Sequence, residues 1–116
     1  TVVLDMFREE FPLGADLLLF SQIMHDWSDE TNIGLLEKAW RALPVGGQVV
    51  LHEKLLNDER SGPLANALVT LDMLYWTEGK QYTAQELRTL LERAGFSQVS
   101  VTPTVGYWSA VVGIKS

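Results

Sequence analysis

Ala15-Asp16-Leu17-Leu18-Leu19-Phe20 is a short apolar run that follows the turn signal Pro12-Leu13-Gly14. A run of this length and character suits a β-strand covered on both faces. Downstream, the spacing predicts a helix from Asp29 to Leu43, with Ile33, Leu36, Trp40 and Leu43 along one face. Ser28 stands where an N-cap belongs, and Asp29 and Glu30 lie where the helix dipole favours negative charge. Pro44 and Gly46-Gly47 end that helix. Gly47-Gln48-Val49-Val50-Leu51-His52-Glu53 then reads as a second buried strand.

Further outward the pattern continues. Ser61-Gly62-Pro63 can open a helix with Leu64, Leu68, Leu71 and Leu74 on one stripe, closed by Gly79. Thr83-Ala84-Gln85-Glu86 has the form of a capping box. Leu87, Leu90, Leu91 and Ala94 form the inner face of the helix it starts, and Gly95 stops it. Ser97 to Thr102 and Tyr107 to Ile114 are strands, with Pro103 and Gly106 in the link; so short a link makes the pair antiparallel. Upstream, Thr1 to Leu4 has the character of a strand end. Strand, helix, strand, helices and a hairpin make the second half of an open α/β sheet. Ligands of such sheets sit at the carboxyl ends of the strands. That rule points to Asp5-Met6-Phe7, to Ser21 through Trp27, and to Glu53.

Composition narrows the class. The 116 residues are 47% hydrophobic and 21% charged, enough apolar material for one compact core. Fifteen acidic residues against nine basic ones argue against nucleic acid and against an anionic membrane surface as partners. No apolar run approaches the roughly 18 residues of a membrane span. With no cysteine, disulfides and thiolate metal sites are excluded. The two histidines lie on different elements without His-x-x-x-His spacing, so no metal site is expected. A cytosolic protein is the default expectation.

Among the chemically capable residues, His25 follows the first strand and Glu53 ends the second. Neighbouring strands lie about 4.8 Å apart, so the two side chains can meet. A carboxylate on an imidazole orients it and favours its protonated form, the minimal outfit of a general base. The same spacing also fits a purely structural contact, or two residues that never meet. His52 alternates with Glu53 and reads as structural. Asp5 can accept a hydrogen bond from a ligand, and Met6 and Phe7 can pack on a flat ring, although Asp-Met-Phe also reads as a turn followed by core residues. Asp72 is either a surface residue or one that projects beside Met73 and Trp76.

The stretch His25-Asp26-Trp27-Ser28-Asp29-Glu30 resembles the His-Asp-Trp-Ser-Asp-Glu signature of the S-adenosylmethionine-dependent small-molecule O-methyltransferases of caffeic-acid and acetylserotonin type. The resemblance continues through Ala42-Leu43-Pro44, Gly46-Gly47, Glu53, Gly79-Lys80, Thr83 and Ala94-Gly95-Phe96, in the family's order. It implies the carboxyl-terminal half of a Rossmann-like class I methyltransferase sheet that ends in an antiparallel hairpin. It implies S-adenosylmethionine as cofactor and a small, aromatic hydroxyl compound as methyl acceptor. His25 inherits the role of general base and Glu53 that of its orienting partner. Asp5, Met6 and Trp27 inherit contacts to the adenine, and Met24, Met73 and Trp76 line the acceptor pocket.

Two residues depart from the family pattern. Plant-type relatives carry Gly-Lys-Glu-Arg-Thr where this chain has Gly79-Lys80-Gln81-Tyr82-Thr83, so Gln81 replaces a carboxylate that steadies the histidine. Ser21 stands where those relatives place a cofactor-binding lysine. The family's Gly-rich cofactor loop, its ribose carboxylate and its amino-terminal dimerisation domain all precede the part that matches. The chain is therefore expected to be a partial catalytic domain of a homodimer joined through the amino-terminal region. The strand ending at Leu4 would not adjoin the Ala15–Phe20 strand, because the family's first two strands lie between them. Two other readings fit the same scaffold: a non-catalytic ligand-binding or partner module, and an enzyme that hydroxylates or decarboxylates using the bound cofactor electrostatically.

Overall fold

The computed structural model describes residues 3–56 and 80–116. The expected helix from Leu64 to Trp76, and with it Asp72, Met73 and Trp76, lies outside them. Strand β1 (Leu17–Ser21) leads through a 3₁₀ turn (Met24–Asp26) into helix α1 (Asp29–Ala42) and strand β2 (Gln48–Lys54). Helix α2 (Ala84–Arg93) precedes strands β3 (Ser97–Pro103) and β4 (Trp108–Ile114). The four strands form one sheet in the order β1-β2-β4-β3. β1 and β2 are parallel, with Phe20 opposite Leu51 and Ser21 opposite His52. β4 inserts between β2 and β3 and runs antiparallel to both. This is an open, mixed α/β sheet with a terminal antiparallel hairpin.

Local chemistry explains the boundaries. The Ser28 hydroxyl accepts from the Thr31 amide and starts α1. At α2, Thr83 accepts from the Glu86 amide while the Glu86 carboxylate accepts from the Thr83 amide, the reciprocal bonding of a capping box. Gly95 ends that helix at φ +109°, and a Cβ there would come 3.0 Å from the Trp40 indole nitrogen. Between Ser97 and Ser100 β3 carries a bulge, where Gln98 takes the left-handed conformation at φ +50°.

Both helices pack on one face of the sheet. Leu35, Leu36, Ala39 and Leu43 join Leu87, Leu90 and Leu91 over Phe20, Val49, Leu51 and Val111. Burying each leucine contributes about 1.5–3 kcal/mol. The inner face of α1 is thus centred on Leu35, Leu36 and Ala39, with Ile33 and Trp40 at its flanks. Asn32 lies on it too, fully buried.

Two expectations are corrected. Among the described residues β1 is covered on one face only: Phe20 is buried, whereas Leu17 and Leu19 are 50% and 60% exposed. No described helix packs on the second face. Of the expected strand end from Thr1 to Leu4, Thr1 and Val2 lie outside the described residues, and Val3 and Leu4 belong to no strand; the chain turns directly after them, the Glu9 amide donating to the Asp5 carbonyl at 2.9 Å. Among the described residues β1 pairs only with β2, so its other edge is open, with a cavity of about 240 Å³ beside it lined by Met6, Phe11, Leu18, Leu19, Phe20 and Ile23.

Candidate active site

The site begins where β1 stops. Ser21 is the last residue of the strand, and the Gln22 amide still donates to the His52 carbonyl at 3.0 Å. Gln22 then takes φ +59°, an uncommon conformation for a residue with a side chain, and the chain swings out of the sheet. The 3₁₀ turn that follows carries Met24 inward and His25 to the rim, its side chain 18% exposed.

Glu53 comes to the same place from β2. Alternation along the strand puts Glu53 on the covered face with Leu51, and His52 on the other. Glu53 is 1% exposed, and a carboxylate so buried requires partners. Its Oε2 lies 2.6 Å from His25 Nδ1, and its Oε1 accepts from the Met24 amide at 3.0 Å. An ionised carboxylate only accepts, so Nδ1 carries a hydrogen and Nε2 is the ring atom left to take up or release a proton. The Glu53 hydrogen bond holds the His25 pKa above its ordinary value; burial opposes it, the charges of Glu53 and Asp26 add to it, and Lys54 lowers it. Asp26 Oδ1 is 3.4 Å from Nε2.

Three of the expected cofactor residues converge beside this turn. The Asp5 carboxylate accepts from the Phe7 amide at 2.9 Å, and Phe7 meets Trp27 edge to face, 4.7 Å between ring centres. Lys38 of α1 donates to the Met6 carbonyl at 3.0 Å and ties the segment to the helix. Ser21 is not brought to them. Its hydroxyl lies 3.3 Å from His52 Nδ1, and His52 stacks on Trp108 and meets Thr104.

Residues 2–97 match the O-methyltransferase domain model. The chain belongs to the O-methyltransferase domain family. It is 44% identical over 111 residues to the acetylserotonin O-methyltransferase of Gallus gallus, a match that takes in 96% of the chain and 32% of that protein. It is 37% identical to the 3-hydroxy-5-methyl-1-naphthoate 3-O-methyltransferase of Streptomyces sahachiroi, over 100% of the chain and 34% of that protein. The structure of human N-acetylserotonin methyltransferase in complex with SAM superposes with a TM-score of 0.92 at 34% identity, over 97% of this chain and 32% of that one. That of an O-methyltransferase family 2 protein from Planctomyces limnophilus in complex with apigenin gives 0.90 at 35% identity, over 97% and 33%. The chain thus spans about a third of the length of the curated relatives it matches.

Two residues that the family pattern singles out lie differently here. Met24, expected in the acceptor pocket, is 0% exposed and belongs to the core, because the turn that presents His25 points its predecessor inward. Gln81, expected to steady the histidine ring, makes no hydrogen bond to His25 among the described residues; it is buried and its Oε1 has no partner. Its neighbour Tyr82 and the buried Asn32 of α1 are the residues that sequence reading missed. The Asn32 Nδ2 donates to the Met24 carbonyl at 2.7 Å and to the Tyr82 hydroxyl at 2.9 Å, and that hydroxyl donates to Asp29 Oδ1 at 2.6 Å. The available signal was an asparagine one turn before Leu35 and Leu36, four residues after its N-cap.

Proposed function

We propose that the protein containing this chain transfers the methyl group of S-adenosylmethionine to a hydroxyl of a small aromatic molecule, with His25 as general base. The observation that carries this reading is the 2.6 Å bond from His25 Nδ1 to Glu53 Oε2, which leaves Nε2 as the titrating atom at the carboxyl edge of the sheet. Membership of the O-methyltransferase domain family and the SAM-bound neighbour support the choice of cofactor.

The residues on hand fit the adenine end of that cofactor. Asp5, with its side chain 46% exposed, keeps acceptor capacity beyond its bond to Phe7 and can receive an exocyclic amine. Met6 and the Phe7–Trp27 pair offer apolar surface for a flat ring. When bound, the cofactor supplies an electrophilic methyl on a sulfonium centre.

His25 then has one task, removal of the acceptor proton at Nε2. A phenol near pKa 10 and an imidazole near 6.5 make full transfer uphill before reaction. The Glu53 bond narrows that gap by raising the basicity of His25, and it stabilises the imidazolium that forms. General-base help of this kind is worth about 10² to 10⁴ in rate. Glu53 also fixes the Met24 amide, so one carboxylate orients both the ring and the backbone beside it.

The test is to incubate the complete protein with S-adenosylmethionine and a set of hydroxylated aromatic compounds, and to weigh the products. An added methyl on oxygen is the expected result. Hydroxylated or decarboxylated products, or none with any acceptor, would contradict the reading.

A further inference from the structure

Asn32 is anomalous on its own helix. It is 0% exposed on the face where α1 buries Leu35, Leu36 and Ala39, a position where an apolar side chain would avoid the cost of desolvating an amide. Its Oδ1 has no partner, so its hydrogen bonding runs through Nδ2. Those bonds reach the Met24 carbonyl at 2.7 Å, the Tyr82 hydroxyl at 2.9 Å and, more distantly, the Trp27 carbonyl at 3.4 Å. The Met24 carbonyl belongs to the peptide unit whose nitrogen is that of His25. Asn32 therefore holds the plane from which the catalytic side chain departs.

Tyr82 completes the arrangement from the other side. It is 2% exposed, accepts from Asn32 and donates to Asp29 Oδ1 at 2.6 Å. Burial, and then the Asp29 bond, push its pKa far up, so the phenol stays a neutral donor. Lys80 adds a contact to Asp29 at 3.9 Å and a closer one to Glu86 at 2.7 Å. The turn that bears His25 is thereby gripped twice: Glu53 takes the Met24 N–H, and Asn32, held in turn by Tyr82, takes the Met24 C=O.

We propose that Asn32 and Tyr82 are positioning residues that set the His25 imidazole against Glu53 by fixing the peptide unit before it. The proposal rests on the reading of His25 as the base. A misplacement of about 1 Å in a reacting group can cost about 10² in rate, so a bond to the supporting peptide is consequential. Among the described residues, the charged groups acting on the His25 ring are Glu53 and Lys54 from β2 and Asp26 from its own turn. Neither Asn32→Leu nor Tyr82→Phe alters any of them.

The experiment uses the complete protein in those two variants. Turnover is measured, and the His25 imidazole titration is followed by NMR, with the resonance assigned by its loss in His25→Gln. Tyr82→Phe removes one oxygen and is expected to lower turnover about three- to tenfold, the range of one buried hydrogen bond, without changing the KM for the cofactor. Asn32→Leu is expected to lower it about tenfold to a hundredfold. In both, the His25 titration should move to lower pH as the Glu53 bond loosens. An unmoved titration in both variants would overturn the proposal, whether turnover fell or not, because residues that merely support the fold would leave it in place. Should the wild-type protein transfer no methyl group, the functional reading fails, and the NMR titration still decides whether Asn32 and Tyr82 position His25.

Discussion

His25 Nδ1 lies 2.6 Å from Glu53 Oε2, and the two residues come from different strand ends of a parallel pair. The contact fixes the tautomer, directs Nε2 away from Glu53 and raises the basicity of the ring.

The first consequence is a pH dependence with a defined sign. A base must be unprotonated, so turnover should rise with pH through a His25 pKa that lies above the ordinary 6.5. Glu53→Gln removes the principal cause of that elevation, so the acid limb of the kcat profile should move to lower pH while the plateau falls. The stability term runs the other way. A histidine whose folded pKa is raised stabilises the fold fully below about 6.5 and loses that contribution as pH rises through the folded value. His25→Gln should therefore cost more stability in mildly acidic than in mildly alkaline buffer. An acid limb that stays in place in Glu53→Gln would dissociate the pair.

Asp5 offers a test of the cofactor side. Asp5→Ala in the complete protein should weaken cofactor binding about tenfold, the scale of a hydrogen bond to a charged acceptor, and leave the KM of the acceptor nearly unchanged. Asp5→Asn can keep the bond to the Phe7 amide while removing the charge, and so separates ligand contact from local folding. Calorimetric titration with S-adenosylmethionine reads the effect. A rise confined to the acceptor KM would move Asp5 out of the adenine site.

Gln81 is buried with an unpartnered Oε1, and leaving such an acceptor unsatisfied costs about 1–3 kcal/mol. Gln81→Met keeps the shape and removes that oxygen. The variant should unfold at the same or higher denaturant concentration, and its kcat profile should keep its acid limb. A shifted limb would restore to Gln81 the ring-steadying role expected from its place in the sequence.

Thr83 links the site to the fold through its capping box and its bridge to Leu56. Thr83→Ala should cost about 1 kcal/mol of stability, as other N-cap truncations do. Chemical denaturation of the complete protein measures it. No loss would mean that the cap is replaced by water or by a shifted helix start.

How far these features were legible in sequence depends on the kind of signal each residue carries. The ends of α1 and α2 were readable because Ser28 and Thr83 act on amides within three residues of themselves. That His25 and Glu53 could meet was readable because both follow from where strands stop, whereas their roles were implied by the family resemblance alone. Of the inner face of α1, Leu36 and Leu43 were read and Ile33 and Trp40 proved to flank it, whereas small Ala39 and polar Asn32 were missed because they do not look like core residues, although both are 0% exposed. The leucine run of β1 suggested two covered faces, but continuous apolarity does not tell which neighbours are present, and only Leu18 and Phe20 pack on the core. Insertion of β4 between β2 and β3 had no local signal, because a hairpin link specifies only one of the two neighbours of a strand. Tyr82 was hidden for the same reason: its partners Asn32 and Asp29 are 50 and 53 residues away.

The most direct measurement is single-turnover methyl transfer by the complete protein carrying His25→Gln, with cofactor binding measured in parallel. The expected result is a rate lower by about 10² or more, the usual size of a general-base contribution, with cofactor affinity nearly unchanged. Glu53→Gln should show a smaller loss, and the double variant should be little worse than His25→Gln alone, as for residues that act as a unit. An undiminished rate in His25→Gln would contradict the central claim and leave positioning and desolvation as the catalytic means.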